Sequence, residues 1–287
     1  MEKESGVMLN KILVPLDGSQ LAEMALPIAV SLADKSSTTL CLVTVASGKP
    51  GDLVYDDSEL YLEEVSSSLK HSGYGACFHV GTGAAADAIV QHAEDEHVEL
   101  IVMTTRGRSG IARGLLGSVT DAVISEVSVP VYVVRSDNVQ RIEGHTEPNS
   151  SVIVPLDGSE LAETALESAI SFAQSALTPI YLLRVIDEQA TSEERDVAGA
   201  YLERLSERLA KRKVLAIPEL MTGHPGESII RSMNRRPSSV VVLTTRGAGG
   251  LTRWMRRSVA DWLVHRAPGP IVVVSPRQQA LLGSSIH

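Results

Sequence analysis

The sequence predicts an α/β protein built from two tandem domains, each a five-stranded parallel sheet with helices on both faces. Three observations predict it. First, the chain repeats itself at an offset of 140 residues. Val14-Pro15-Leu16-Asp17-Gly18-Ser19 recurs as Val154-Pro155-Leu156-Asp157-Gly158-Ser159, and Thr104-Thr105-Arg106-Gly107 recurs as Thr244-Thr245-Arg246-Gly247. Over positions 14–33 and their partners, 14 of 20 residues are identical, which is duplication and not coincidence. Second, 287 residues divide into two pieces of ordinary domain size, with a period far too long for a solenoid. Third, the chain is 44% hydrophobic but only 3% aromatic, so its cores must be made of Val, Ile, Leu and Ala. That mixture suits buried parallel strands between helices.

Each element of the first copy follows from pattern. Lys11–Leu16 is an apolar run ending in Asp-Gly-Ser, a strand and its turn. Residues 19–34 place Leu21, Ala22, Ala25, Leu26 and Ala29 on one helical face. Thr39–Val45 is a β-branched strand, and 46–57, with Gly, Pro and Asp, reads as a mobile loop. A helix over 58–71 presents Leu60, Leu62, Val65 and Leu69. Ala76–Val80, Leu100–Thr105 and Val129–Arg135 are further strands, with helices over 84–97 and 118–127. In the second copy, strands are expected to start near 151, 179, 216, 239 and 270. Strands alternating with helices imply right-handed crossovers. The expected boundaries are repeat 1 over 1–137, a polar linker over 138–150, repeat 2 over 151–276 and a tail over 277–287.

Composition excludes several classes. The net charge is −9, and an acidic chain with few aromatics lacks the electrostatic footprint and the stacking platforms of a nucleic-acid binder. No apolar run approaches the roughly 20 residues of a membrane span, and Met1–Asn10 has no apolar core of a signal peptide, so a cytoplasmic location is expected. Cys41 and Cys77, the only cysteines, are read as two reduced buried thiols. None of the eight histidines has a partner at the repeat offset, and His92 and His97 are poorly spaced for one helical face, so no metal site is expected.

The chemistry is expected where strand order reverses, outside the carboxyl ends of the strands. Two turns qualify. One follows the first strand at Asp17-Gly18-Ser19; the other is the glycine-rich stretch from Gly107 to Ser118. In a five-stranded flavodoxin-like or related order their strands are neighbours. Glycines let backbone amides approach phosphate oxygens, and a helix opening at Ser118 adds its amide dipole. Both turns also have a purely structural reading. Ser118 with Asp121 is a capping box, and Asp17 with Gln20 and Asp157 with Glu160 match caps of the first helix. A capping Asp also retains the ability to accept hydrogen bonds from a ligand. There is no Walker-type phosphate loop and no Gly-x-Ser-x-Gly elbow around Ser19 or Ser159. Gly81-Thr82-Gly83-Ala84-Ala85-Ala86 fits the loose dinucleotide pattern but follows the third strand, and its partner has lost the first glycine.

These residues resemble the universal stress protein family in its tandem form, over nearly the whole chain. The resemblance implies a flavodoxin-like, adenine-nucleotide-hydrolase-like sandwich. It also implies pairing through the last strands, here Val131–Val134 with Ile271–Val274, as an intramolecular pseudo-dimer, with further homodimerisation left open. The ATP-binding branch of the family carries Gly-x2-Gly-x9-Gly-[Ser/Thr]. Here Gly107 and Gly117-Ser118 match, while Thr104 replaces the first glycine. The resemblance implies ATP with Mg as ligand. Asp17, Val45 and the adjoining Pro15 and Leu16 would lie against adenine or ribose, and Met103 against base or sugar. Gly107, Gly110, Gly117, Ser118 and Val119 would cradle the phosphates.

Repeat 2 departs further. Arg257 stands where repeat 1 has Gly117, with Trp254 for Gly114 and Arg256 for Leu116. A non-Gly residue forced to positive φ costs about 1–2 kcal/mol. A degenerate second site is expected, in which Asp157, Val185, Gly247, Gly250 and Ser258 remain. The function implied is ATP binding in stress response or signalling. The alternatives are a nucleotide-independent interaction scaffold, with Arg253, Arg256 and Arg257 as its surface, and a slow ATP hydrolase.

Overall fold

The structure is a computed structural model, and it describes residues 9–105, 118–139, 150–245 and 259–275. The chain divides into two compact units, built on Met8–Glu143 and Gly144–His287.

The first unit runs β1 (Lys11–Pro15), α1 (Gln20–Glu23), α2 (Ala25–Leu32), β2 (Thr39–Ala46), α3 (Leu53–His71), β3 (Gly75–Thr82), α4 (Ala85–Asp95), β4 (Leu100–Thr105), α5 (Ser118–Glu126) and β5 (Val131–Arg135). All pairings are parallel, in the order β3-β2-β1-β4-β5. The strands are apolar on both faces: Ile12, Leu13 and Val14 of β1 and Leu40, Cys41 and Leu42 of β2 are fully buried. Right-handed crossovers place α1, α2 and α3 on one face and α4 and α5 on the other. Accordingly α2 packs on β1 and β4, α3 on β2 and β3, and α4 on α5.

The second unit repeats this. It runs β6 (Ser151–Pro155), α6 (Glu160–Glu163), α7 (Ala165–Ala176), β7 (Ile180–Ile186), α8 (Ser192–Ala210), β8 (Ala216–Thr222), α9 (Pro225–Arg235), β9 (Ser239–Thr244), α10 (Val259–Arg266) and β10 (Ile271–Val274). Its strand order is β8-β7-β6-β9-β10, again parallel. In α9 a Cβ at Gly226 would lie 2.5 Å from the Trp262 ring of α10. Glycine there is what lets the two helices approach.

Two expectations need correction. The loop expected over 46–57 is shorter, because α3 begins at Leu53. The Asp52 carboxylate accepts from the Lys49 amide (2.8 Å) and Asp56 from the Gly51 amide (3.1 Å), which fixes the helix start five residues early. The inward stripe of α3 is Leu62, Ser66 and Leu69, while Leu60 is exposed. The helix expected over 19–34 is interrupted at Met24. Pro27 does not explain the interruption, because it recurs at Thr164, where the second copy has Glu167 for Pro27.

A strained helix end gives a test. α7 stops at Leu177, which sits in the left-handed region (φ 53, ψ 42) with its side chain 93% exposed. The Thr178 amide donates to the Ala173 carbonyl (2.9 Å), the bond that usually accompanies a glycine stop. Leu177→Gly is expected to stabilise the second unit by about 1 kcal/mol, the left-handed penalty less the extra chain entropy of glycine. Urea denaturation followed by circular dichroism checks it; an unchanged or lower midpoint contradicts it.

Candidate functional site

The site is positioned by topology. β1 pairs with β2 on one side and β4 on the other, and the chain winds outward in opposite directions from that pair. Their carboxyl ends therefore flank the crevice where a doubly wound sheet receives ligands. Leu13 pairs with Ile101, so Pro15 is level with Met103. Pro15 pairs with Val43, so Val45 is level with Asp17. α5 joins two parallel strands, so its first residues, Ser118 and Val119, lie at the same rim. The structure thus brings Pro15, Leu16, Asp17, Val45, Met103, Ser118 and Val119 to one end of the sheet. Leu16 and Met103 are buried, Pro15, Val45 and Val119 half-buried, and Asp17 and Ser118 exposed. Gly107, Gly110 and Gly117 lie outside the described residues, as do Gly247, Gly250 and Ser258 and the arginines at 253, 256 and 257.

The cap of the first helix is Ser19, not Asp17. Ser19 Oγ accepts from the Ala22 amide (3.2 Å), and Ser159 Oγ from the Ala162 amide (3.1 Å). Asp17 instead organises the turn before the helix. Its Oδ1 accepts from the Ser19 amide (3.0 Å) and hydroxyl (2.5 Å), and Asp157 does the same at 2.9 and 2.6 Å. Gly18 (φ +75) and Gly158 (φ +87) supply the left-handed residue that this turn needs. Among the described residues these bonds use only one carboxylate oxygen of Asp17, so an exposed carboxylate stands at the strand end, held in place by Ser19.

Thr104, which stands where the resemblance expects a glycine, has a structural role. Thr104 Oγ1 donates to the Leu21 carbonyl, and Thr244 Oγ1 to the Leu161 carbonyl (3.0 Å). Both carbonyls belong to the short first helix, so the end of β4 or β9 is tied to the turn that carries the aspartate. The break falls in the same place in both copies, next to this tie; at Leu161 the carbonyl also accepts from the Thr164 amide (3.2 Å) and hydroxyl (2.7 Å).

The two rims differ in one feature that sequence reasoning missed. Position 184, the partner of Thr44, is an arginine. A Cβ at Gly158 would collide with the Arg184 guanidinium, whereas Gly18 has open space. The guanidinium also sits over the Tyr201 ring, 5.1 Å from its centre. Asp157 is held below the usual carboxylate range: desolvation opposes ionisation, but bonds from the Ser159 hydroxyl and amide, and the Arg184 charge, outweigh it. The Thr44–Arg184 comparison at the repeat offset was the available signal. Nearby, Tyr61 donates to Glu23 (2.9 Å) and Tyr201 to Glu163 (3.0 Å); burial, then the carboxylate, pushes both phenols up.

The glycine pattern at Gly81 begins in the last two residues of β3, the outer strand of the unit, and not at the β1/β4 reversal. A Cβ at Gly81 would lie 3.2 Å from the Ala88 Cβ, so that glycine serves helix packing. The cysteines are free, but Cys77 is half-buried where a buried thiol was expected. Among the described residues no helix is long and apolar enough to cross a membrane, and no three His, Cys, Asp or Glu side chains are grouped to hold a metal.

Comparison with known proteins completes the description. The Universal stress protein family matches residues 8–135 and again 148–275. A universal stress protein of Mycobacterium tuberculosis is 27% identical over 193 residues, and the match spans 61% of each chain. One from Methanocaldococcus jannaschii is 33% identical over 141 residues, 45% of this chain and 83% of that one. The crystal structure of a universal stress protein from Archaeoglobus fulgidus superimposes with a TM-score of 0.75 at 22% identity, covering 93% of this chain and 98% of that one. The two family matches, on two copies of one parallel α/β fold, establish that this chain belongs to the universal stress protein family and carries its domain twice.

Proposed function

We propose that the chain is an ATP-binding member of the family with a stress-response or signalling role, and that its first repeat holds the nucleotide. The observation that carries this reading is the shared rim of the first unit, where an exposed carboxylate held by Ser19 stands at the same end of the sheet as the start of α5, beside the β1/β4 reversal. Asp17 would accept hydrogen bonds from ribose hydroxyls, and the half-buried Val45 and buried Met103 would give the base an apolar wall. The α5 amides near Ser118 and Val119, with the glycines at 107, 110 and 117, would receive the phosphates and the Mg they carry. These groups suit the ligand: a carboxylate for hydroxyls, apolar side chains for a base and amides for anions.

The second repeat is proposed to be degenerate for two reasons. Arg257 replaces the last loop glycine, and Arg184 covers the Asp157-Gly158 turn with a guanidinium of the chain's own. The second reason sets a positive charge beside the turn, where it helps to hold Asp157 ionised and occupies the space that is open at Gly18.

Calorimetric titration of the nucleotide-stripped chain with Mg-ATP is expected to give one site per chain. Two sites would refute the degeneracy of repeat 2, and none would refute the nucleotide reading. Asp17→Ala is expected to weaken binding about tenfold or more, since a hydrogen bond to a charged group contributes about 1.5–3 kcal/mol. Gly117→Arg, which copies repeat 2, should abolish binding with the circular dichroism spectrum unchanged; retained affinity would displace the phosphate site from that loop. The paired substitution Arg184→Thr with Arg257→Gly should raise the stoichiometry to two. A value that stays at one would show that other differences close the second site.

A further inference from the structure

We infer that Cys41 and Cys77 form a reversible dithiol–disulfide centre in the first repeat, with a hydroperoxide as its oxidant. The two residues are register partners on adjacent parallel strands, β2 and β3, with side chains on the same face. Strand spacing sets their Cα atoms about 4.8 Å apart, inside the range of about 4.4–6.8 Å that a disulfide spans. Their sulfurs are in hydrogen-bond contact at 2.8 Å, so only a short closure separates the pair from a covalent bond. Cys41 is fully buried and Cys77 half-buried, so Cys77 is the more accessible of the two.

The second repeat shows that the fold does not need sulfur here. The equivalent register pair is Tyr181 and Ile217. The Arg236 guanidinium lies 3.6 Å from the centre of the Tyr181 ring and pairs with Glu219 at 3.1 Å. Packing alone is therefore satisfied by an aromatic and an aliphatic residue. Two thiols at one register position are a feature of the first repeat only.

The surroundings suit a reactive thiol. Cys77 is lowered to about 7, first because its thiolate accepts the hydrogen bond of Cys41, with burial opposing; Lys11 and Lys70 favour the thiolate and Glu96 disfavours it. Cys41 is pushed up by the same hydrogen bond and by burial. Lys11 is anchored by Glu96 at the end of α4 (2.8 Å), which sets the ammonium on this face. His79 and His92 stack nearby at 4.7 Å, and burial, then His79, keeps His92 below its ordinary value. The thiolate is the nucleophile, so reactivity rises with pH through about 7 and levels above it.

The reaction balances. The Cys77 thiolate attacks one peroxide oxygen; the S–O bond forms, the O–O bond breaks, and hydroxide leaves and is protonated to water. The Cys41 sulfur then attacks Cys77; the S–S bond forms, the S–O bond breaks, and the departing hydroxide takes the Cys41 proton as a second water. Two thiols lose two electrons to one hydrogen peroxide, and a dithiol reductant reverses the change.

The test is to treat the reduced full-length chain with graded hydrogen peroxide and to count thiols after denaturation, with intact mass and a non-reducing gel. Both thiols should disappear together, the mass should fall by two hydrogen atoms, the chain should stay monomeric on the gel, and dithiothreitol should restore both thiols. Cys41→Ser should instead gain oxygen at Cys77, and Cys77→Ser should keep Cys41 titratable. The inference is overturned if wild-type thiols survive peroxide that fully oxidises glutathione. It is equally overturned if the wild type gains oxygen without losing hydrogen, or if the only disulfide links two chains. The wild-type result decides the matter even if a serine variant fails to fold, and it does not depend on ATP binding.

Discussion

Everything at the candidate site depends on β1 being flanked by parallel partners on both sides. A strand so placed is buried on both faces and paired along both edges, so its chain leaves the sheet only beyond its carboxyl end. It does so in one tight turn, which needs a positive-φ glycine, a carboxylate to gather the following amide and a hydroxyl to start the helix. Gly18, Asp17 and Ser19 meet those needs in the first copy, and Gly158, Asp157 and Ser159 in the second, with hydrogen bonds that agree to about 0.1 Å. The identity of this hexapeptide across the copies therefore has a structural cause that is independent of any ligand. What differs beside the turn is Thr44 against Arg184, whose guanidinium reaches Gly158.

The fold was legible in the sequence because a buried parallel sheet leaves a strong trace. Its strands are continuous Val/Ile/Leu runs, and duplication supplied each run twice. Nine of the ten strands begin within one residue of the expected start, and the tenth, β5, within two. Helix starts were less legible, because they are set by single side-chain bonds. The start of α3 at Leu53 rests on Asp52 and Asp56 bonding to amides in a stretch whose composition reads as loop. The break at Met24 was not legible at all, and neither was the tie beside it, which joins the Leu21 carbonyl to Thr104, 83 residues away in the chain. Of the site, the residues on regular elements were foreseeable from register. Arg184 was visible only as a charged residue inside a strand pattern, and its reach back over Gly158 is a property of the folded chain.

Elsewhere the two copies share a scaffold but not an interior chemistry. On the α4 face the first unit sets a lysine–carboxylate pair over two thiols and two stacked histidines. The second sets arginine, glutamate, serine and tyrosine in a single charged network at the equivalent positions. The divergent pairs sit on β2 with β3 and β7 with β8, and the rest of β2 and β7 stays in the apolar core, with Leu40 and Leu42 in one copy and Ile180 and Leu182 in the other fully buried.

Trp262, wedged against Gly226 between α9 and α10, has an optical consequence. Both tryptophans of the chain, at 254 and 262, belong to the second copy. Indole emission therefore reports on one half of the molecule while the other half is dark. Emission and a global probe such as ellipticity, followed together through a denaturation, would separate the melting of the two halves without labels. Coincident curves would mean that the halves come apart as one cooperative unit; separated curves would mean that each has a stability of its own.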